Sequence, residues 1–231
     1  MQDRKIIMIL CLAHGRQFKL LLDYSYLKNN FNLDVRGVLH VGAHFGQEYE
    51  TYKANNIKNM VFFEPLTKNF KVLEDNVSQT DNVRLINCAL GERRETAMMF
   101  VESANQGQSS SILEPDIHLK QYPHIKFEDQ EEVEVYTLDS FLDSGEIDDK
   151  DFNMINMDVQ GYELVVLRGA KKFLHSIDYI ITEINRASVY RNCAMVNEID
   201  EFLKVYGFKR VATSWEGVTW GDALYIKDQG G

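Results

Sequence analysis

Three residues near the start of the chain have types and spacing suited to holding a nucleoside. Gly42 and Gly46 bracket a short turn after the apolar run 37–41, and Glu64 closes a second apolar run, 60–63. In a βαβ unit the acid that ends the second strand, about 20 residues past the glycine turn, can accept hydrogen bonds from two ribose hydroxyls. The turn also bears on which nucleoside cofactor is held. A dinucleotide asks for G-x-G-x-x-G, so that its pyrophosphate settles on bare backbone at a helix N-terminus. Here the order is Gly42-Ala43-His44-Phe45-Gly46, with His44 in place of the middle glycine. S-adenosylmethionine has no phosphate, and its amino-acid end needs only a G-x-x-x-G turn, so the methyl donor is the favoured ligand. The plain alternative is a tight βα turn with Glu64 as a solvated strand-end acid.

A second group of polar residues ends two later apolar runs: Asp158 after 152–157, then Glu183 and Asn185 after 178–182. Ligands of open α/β sheets bind at the carboxyl ends of the strands, which puts these side chains where reaction would occur. Asp158 or Glu183 could remove the proton from an acceptor hydroxyl as a general base. Alternatively Asp158, Glu183 and Asn185 could hold Mg²⁺ or Mn²⁺ through oxygen. Strand-end acids also serve as ordinary helix caps. His44, His118 and His124 have the intrinsic pKa for base work, although a loop histidine is commonly just solvated. Glu163 reads as a first-turn carboxylate favoured by a helix dipole. Tyr162, Trp215 and Trp220 could stack on a sugar face, with core packing or an oligomer contact as the equal alternative.

The elements that must position these groups alternate. Helix 67–77, with Phe70, Leu73 and Val77 inward, follows the second strand, and 83–90 reads as a third strand closed by Gly91. Strands at 95–102 and 131–138 are expected to pair. Between them lies a polar stretch, 103–130, which includes Ser110 and Ser111 and reads as a substrate-side lid. A helix over 161–174, a helix over 196–206 capped by Gly207, and two closing strands joined by the short 217–222 link complete the pattern. A mostly parallel seven-stranded sheet with a terminal antiparallel hairpin and helices on both faces is the arrangement expected.

The chain has 231 residues, 45% of them hydrophobic, enough for one full-sized α/β core, and a single domain is expected over 1–231, with an N-terminal extension (1–36) and a catalytic core (37–228). A net charge of −10 with scattered lysines and arginines leaves no basic stripe for a phosphate backbone, so nucleic acid is not an expected partner. Three well-separated cysteines, Cys11, Cys88 and Cys193, argue against a disulfide framework or zinc cluster and fit a reducing, cytoplasmic setting. Arg4-Lys5 followed by the apolar 6–13 resembles a short signal but lacks a cleavage pattern, and reads as a packed N-terminal strand or helix. A further helix is expected at 17–27, and no stretch is long enough for a membrane span.

Taken together, the chain resembles the FkbM family of S-adenosylmethionine-dependent methyltransferases. The resemblance is carried, in order, by Val41-Gly42-Ala43-His44-Phe45-Gly46-Gln47-Glu48, Phe63-Glu64-Pro65, Asn87-Cys88-Ala89-Leu90-Gly91, Ser109-Ser110-Ser111, Thr137-Leu138-Asp139-Ser140, Met157-Asp158-Val159-Gln160-Gly161-Tyr162-Glu163 and Leu167-Arg168-Gly169-Ala170. It implies a Rossmann-like class I methyltransferase that methylates a hydroxyl of a sugar, glycan or related small molecule. It also implies a cofactor site at His40, Gly42, Ala43, His44, Gly46 and Glu64, with Asn87 and Ala89 near the adenine, and acceptor contacts from Ser110, Ser111 and Tyr162. His40 departs from the family, many members of which carry an acid there. Two other readings stay open. One is an NAD-dependent oxidoreductase, disfavoured by the missing glycine and by the lack of a Tyr-x-x-x-Lys pair in context; the other is a non-catalytic adenosyl-binding module that acts as a partner. Homo-oligomerisation is open as well.

Overall fold

The computed structural model describes residues 22–228; the expected N-terminal element at 6–13 and Cys11 lie outside them. α1 (Tyr24–Phe31) starts on the Asp23 side chain, which accepts from the Tyr26 amide; it overlaps the end of the helix expected at 17–27, of which 17–21 lie outside the described residues. β1 (Gly37–Val41), α2 (Tyr49–Ala54), β2 (Asn59–Phe63), α3 (Thr67–Asn76) and β3 (Val83–Ile86) follow as two βα units. β4 (Ala89–Leu90), β5 (Glu95–Glu102) and β6 (Phe127–Tyr136) form a second sheet, with α4 (Ile117–Gln121) between β5 and β6 in the chain, and α5 (Leu138–Asp143) packs through Leu138 and Phe141 into the core of the main sheet. β7 (Met154–Met157), α6 (Glu163–Arg168), β8 (Tyr179–Asn185), α7 (Val196–Val205), β9 (Phe208–Glu216) and β10 (Trp220–Lys227) return to the main sheet.

The main sheet has seven strands in the order β3-β2-β1-β7-β8-β10-β9. Its first five strands are parallel and β10 is antiparallel to both β8 and β9, which is the expected terminal hairpin. The central strands alternate between two cores, as strands covered on both faces must. Leu39, Val41, Ile155 and Met157 enter one core; Val38, Met60, Phe62 and Met154 enter the other. No helix of the described residues is long and apolar enough to cross a membrane.

Three expectations need correction. The run 83–90 is not one strand. The chain leaves the main sheet at Asn87, whose side-chain amide donates to the Glu64 and Pro65 carbonyls, and β4 pairs with β6 in a second sheet of order β4-β6-β5. The helix expected over 161–174 stops at Arg168. A Cβ at Gly169 would lie 1.9 Å from the Gly91 carbonyl oxygen, so this turn packs directly on the β4–β5 connection and the chain resumes as a short 3₁₀ turn at Phe173–His175. The strand expected at 131–138 is β6, which begins earlier, at Phe127 inside the polar stretch 103–130; that stretch also contains α4 and is tied down by Phe100↔Ser111 and Pro115↔Tyr190 bridges.

Candidate active site

A cavity of about 580 Å³, counting its open mouth, lies over the carboxyl ends of β1, β2 and β7. Its floor is the glycine turn after β1. There Gly42 and Ala43 both donate their amides to the Phe63 carbonyl, at 3.0 and 2.9 Å, Gly46 donates to the Ala43 carbonyl, and the His44 amide donates to the Glu64 carboxylate at 2.8 Å. These turn amides are therefore already used, and the cradle that a pyrophosphate requires is absent from the turn. That counts against the dinucleotide reading more directly than the sequence pattern does.

The glycines of the turn serve purposes that spacing alone does not reveal. Gly42 has φ 78°, and a Cβ there would fall 2.0 Å from the Asp158 carbonyl oxygen; the close neighbour is the end of β7. Gly46 has φ 75°, and its Cβ would meet Leu73 and Val77, so it makes room for α3.

Glu64 is buried and reaches the cavity wall. Its two carboxylate oxygens accept from backbone amides, Oε2 from His44 and Oε1 from Leu66 at 3.0 Å. Each oxygen keeps a further lone pair for a ligand. Burial pushes the carboxyl up to about 7, with the amides of Leu66 and His44 pulling against that rise. Leu66, Cys88, Ala89 and Leu90 add apolar wall beside it. A backbone-anchored carboxyl next to an apolar slot fits a ribose with its attached adenine.

Asp158 forms the opposite wall, half-buried, with Val159, Gln160 and Tyr162. The Gln160 side-chain nitrogen donates to Asp158 Oδ1 at 2.6 Å and to Glu183 Oε2 at 3.1 Å, so an amide lies between the two acids. Burial raises the Asp158 carboxyl. Burial also raises Glu183, reinforced by the charges of Asp158, Glu163 and Asp222. Glu163 is fully buried, accepts from the Val159 and Gly161 amides, and is raised by burial to about 7.

The metal expectation for Asp158, Glu183 and Asn185 does not fit this arrangement. Gln160 presents N–H groups to both acids where a cation would need oxygen, and Asn185 turns its own Nδ2 donor toward Glu183 Oε1. Among the described residues no group of three or more His, Cys, Asp or Glu side chains is arranged to hold a metal ion.

Of the residues expected at the site, the structure brings Gly42, His44, Glu64, Ala89, Ser110, Asp158 and Tyr162 to the cavity wall. Others lie elsewhere. His40 is buried against Phe62 and Tyr52, receives the Tyr52 hydroxyl at Nδ1, and is pushed by burial down to about 3, so it is a neutral core residue off the cavity. Ala43 and Gly46 are buried packing positions, and Asn87 is spent on two carbonyls. Ser111 donates to the Gln160 carbonyl behind the wall, and Glu183 and Asn185 sit beneath Gln160. His118 is buried among Tyr122, Phe127 and Tyr190, whereas His124 is exposed. The Arg186 guanidinium covers Trp215 at 3.6 Å, and Trp220 donates to the Tyr122 hydroxyl at 3.1 Å. Cys88 and Cys193 are free and buried.

Sequence reasoning missed Gln160 and Tyr190. Gln160 stood inside the most distinctive motif without a role assigned to it; Tyr190 had no pattern around it. His44 also does more than its turn position indicated: its ring meets the Gln106 carbonyl and the Gln47 amide, each at 2.8 Å, joining the glycine turn to the insertion above it.

A parallel sheet closed by an antiparallel hairpin, with an acid at the end of β2 and a cavity over the strand ends, defines a class I methyltransferase. The model of the methyltransferase FkbM domain matches residues 40–210, and the chain belongs to that family of S-adenosylmethionine-dependent methyltransferases. The 2-O-methyltransferase NoeI of Sinorhizobium fredii (strain NBRC 101917 / NGR234) is 28% identical over 194 residues, covering 81% of this chain and 77% of that protein. Among solved structures, M. capricolum TrmK in complex with S-adenosyl-homocysteine overlays on 90% of this chain and 70% of its own, at 11% identity and a TM-score of 0.48. Magnesium protoporphyrin IX methyltransferase of Synechocystis PCC 6803 with bound SAM overlays on 88% of this chain and 76% of its own, at 9% identity and a TM-score of 0.48.

Proposed function

We propose that this methyltransferase acts on oxygen, methylating a hydroxyl of a sugar or related small molecule, with Asp158 as the proton acceptor. The observation that carries the reading is the Asp158 carboxylate on the cavity wall opposite Glu64, raised by burial and so ready to take a proton. The similarity to NoeI, a 2-O-methyltransferase, supports oxygen as the acceptor atom.

Glu64 would hold the two ribose hydroxyls of S-adenosylmethionine, with Leu66, Cys88 and Ala89 against the adenine and the 42–46 turn under the amino-acid end. When bound, the cofactor supplies a sulfonium methyl whose S–C electron pair stays on sulfur as the new C–O bond forms. The protein has two tasks. It must align the acceptor oxygen with that methyl, which can supply much of the acceleration, and it must take the hydroxyl proton. Asp158 receives the proton on its carboxylate, which accepts from the Gln160 side-chain nitrogen at Oδ1 and from the Gln160 backbone amide. Gln160 keeps Oδ1 fixed, while Glu183, off the cavity wall, orients Gln160 from behind. Ser110 and Tyr162, also on the wall, would meet the acceptor.

The test is turnover with S-adenosylmethionine on a panel of methyl glycosides, with the product read by NMR. An O-methyl sugar is expected, lost in Asp158→Asn. Methylation of nitrogen or carbon, or cofactor binding with no transfer to any member of the panel, would overturn the reading.

A further inference from the structure

Gln160 is one of few non-glycine residues in the left-handed region, at φ 53°. Its polar groups are fully engaged. The side-chain nitrogen holds Asp158 and Glu183, the side-chain oxygen lies 2.8 Å from the Tyr190 hydroxyl, and the main-chain oxygen accepts from Ser111 Oγ at 2.8 Å. The Tyr190 hydroxyl is also 2.8 Å from the Ser109 carbonyl, so its proton serves both acceptors. Ser109 and Ser111 flank Ser110, which lines the cavity. One residue therefore touches both acids and, directly or through Tyr190, both neighbours of the cavity-lining serine.

The junction has little slack. Tyr190 is fully buried, and a Cβ at Gly161 would meet Cys193 Cβ at 2.8 Å, Leu113 at 3.3 Å and Tyr190 Cβ at 3.4 Å. The amide has one workable orientation. Turned over, its oxygen would face the oxygens of two carboxyl groups and its N–H groups the tyrosine hydroxyl, losing the two hydrogen bonds it donates to the acids. The Tyr190 hydroxyl proton favours the observed orientation from the other side.

We propose that Gln160 and Tyr190 are positioning residues that fasten the 109–113 segment of the insertion to the Asp158 carboxylate. Seating that segment over an acceptor and aiming the proton acceptor are then one event. The role of Asp158 in this statement rests on the function proposed above; the mechanical link does not.

The experiment compares wild type, Gln160→Gly, Tyr190→Phe, the double variant and Asp158→Asn, each saturated with S-adenosylmethionine. Glycine suits the left-handed backbone at 160, so Gln160→Gly deletes the amide without backbone strain. Amide hydrogen exchange over 109–113 needs no acceptor. Both single variants should lose about fivefold or more of the protection there, roughly one hydrogen bond's worth, with cofactor affinity by calorimetry within about twofold of wild type. The double variant should lose less than the two single losses multiplied, because both changes break the Gln160–Tyr190 bond; since Tyr190→Phe also frees the Ser109 carbonyl, the double should match Tyr190→Phe rather than Gln160→Gly. On the acceptor found in the glycoside panel, kcat should fall in each single variant while cofactor KM holds. Wild-type protection over 109–113 in the single variants, or losses that multiply in the double, would overturn the link. Normal turnover by Asp158→Asn would instead remove Asp158 as proton acceptor and leave the exchange result to judge the link by itself.

Discussion

At the Glu64 end of the cavity the partners are near one another in sequence: Glu64 is held by His44 and Leu66, and Asn87 ties down the carbonyls of Glu64 and Pro65. At the Asp158 end they come from across the chain, with Gln160 meeting Glu183, Tyr190 and Ser111, and Tyr190 reaching back to Ser109. The first end is a local βαβ product, rigid once two strands pair. The second exists only after the insertion, β7, β8 and the segment after β8 have all docked. The contrast separates an element held mainly by partners local in sequence from one held by distant partners, and each end should fail in its own way when cut.

The sharpest break is Asp158→Asn, expected to lower turnover by about a hundredfold or more, the usual range for a lost general base, while cofactor affinity by calorimetry stays within about twofold. Glu183→Gln should cost less, about tenfold, since it acts from behind Gln160. Equal losses in the two would place Glu183 at the reacting atoms. At the other end, Glu64→Ala should weaken cofactor binding by at least about tenfold through lost charge-assisted hydrogen bonds, with turnover at saturating cofactor largely kept. An unchanged dissociation constant would remove Glu64 from the cofactor site.

The same end should respond to pH. Burial holds the Glu64 carboxyl at about 7, above its ordinary 4.5, and the proposed ribose clamp needs its ionised form. Binding therefore releases a proton, and cofactor affinity should rise about tenfold from pH 6 to pH 8. Calorimetry in buffers of different ionisation enthalpy checks this; a flat profile with no proton release would contradict it. The smallest effect on the site is expected from His40→Gln, which should cost about 1 kcal/mol of stability in a urea melt for the lost Tyr52 bond and leave cofactor affinity unchanged. Weaker binding in that variant would return His40 to the site.

The difference between the ends also accounts for what could be read in the sequence. β1, the glycine turn, β2 and Glu64 were legible because one short stretch contains both the pattern and its physical cause. The break at Asn87 was not. Residues 83–90 are apolar enough for one strand, and only Asn87, spent on carbonyls just past the end of the neighbouring strand β2, marks where the chain changes sheets. Gly169 did carry a signal, but its reason is the Gly91 backbone, distant in sequence. Asp158 was legible by its place just after β7, whereas Glu183, read as a strand-end acid, lies inside β8, and Gln160 between the two acids and Tyr190 beside it depend on contacts that no local period encodes.

The 2.0 Å between a would-be Cβ at Gly42 and the Asp158 carbonyl bears on inheritance and redesign. Any side chain at 42 would wedge β1 from β7 and tilt the carboxylate that β7 carries. The nucleoside turn and the strand end facing it must therefore be passed on together. A chimaera that imports one from a relative without the other would bring two surfaces cut to different depths, and the misfit would reach both the turn and the carboxylate beside it.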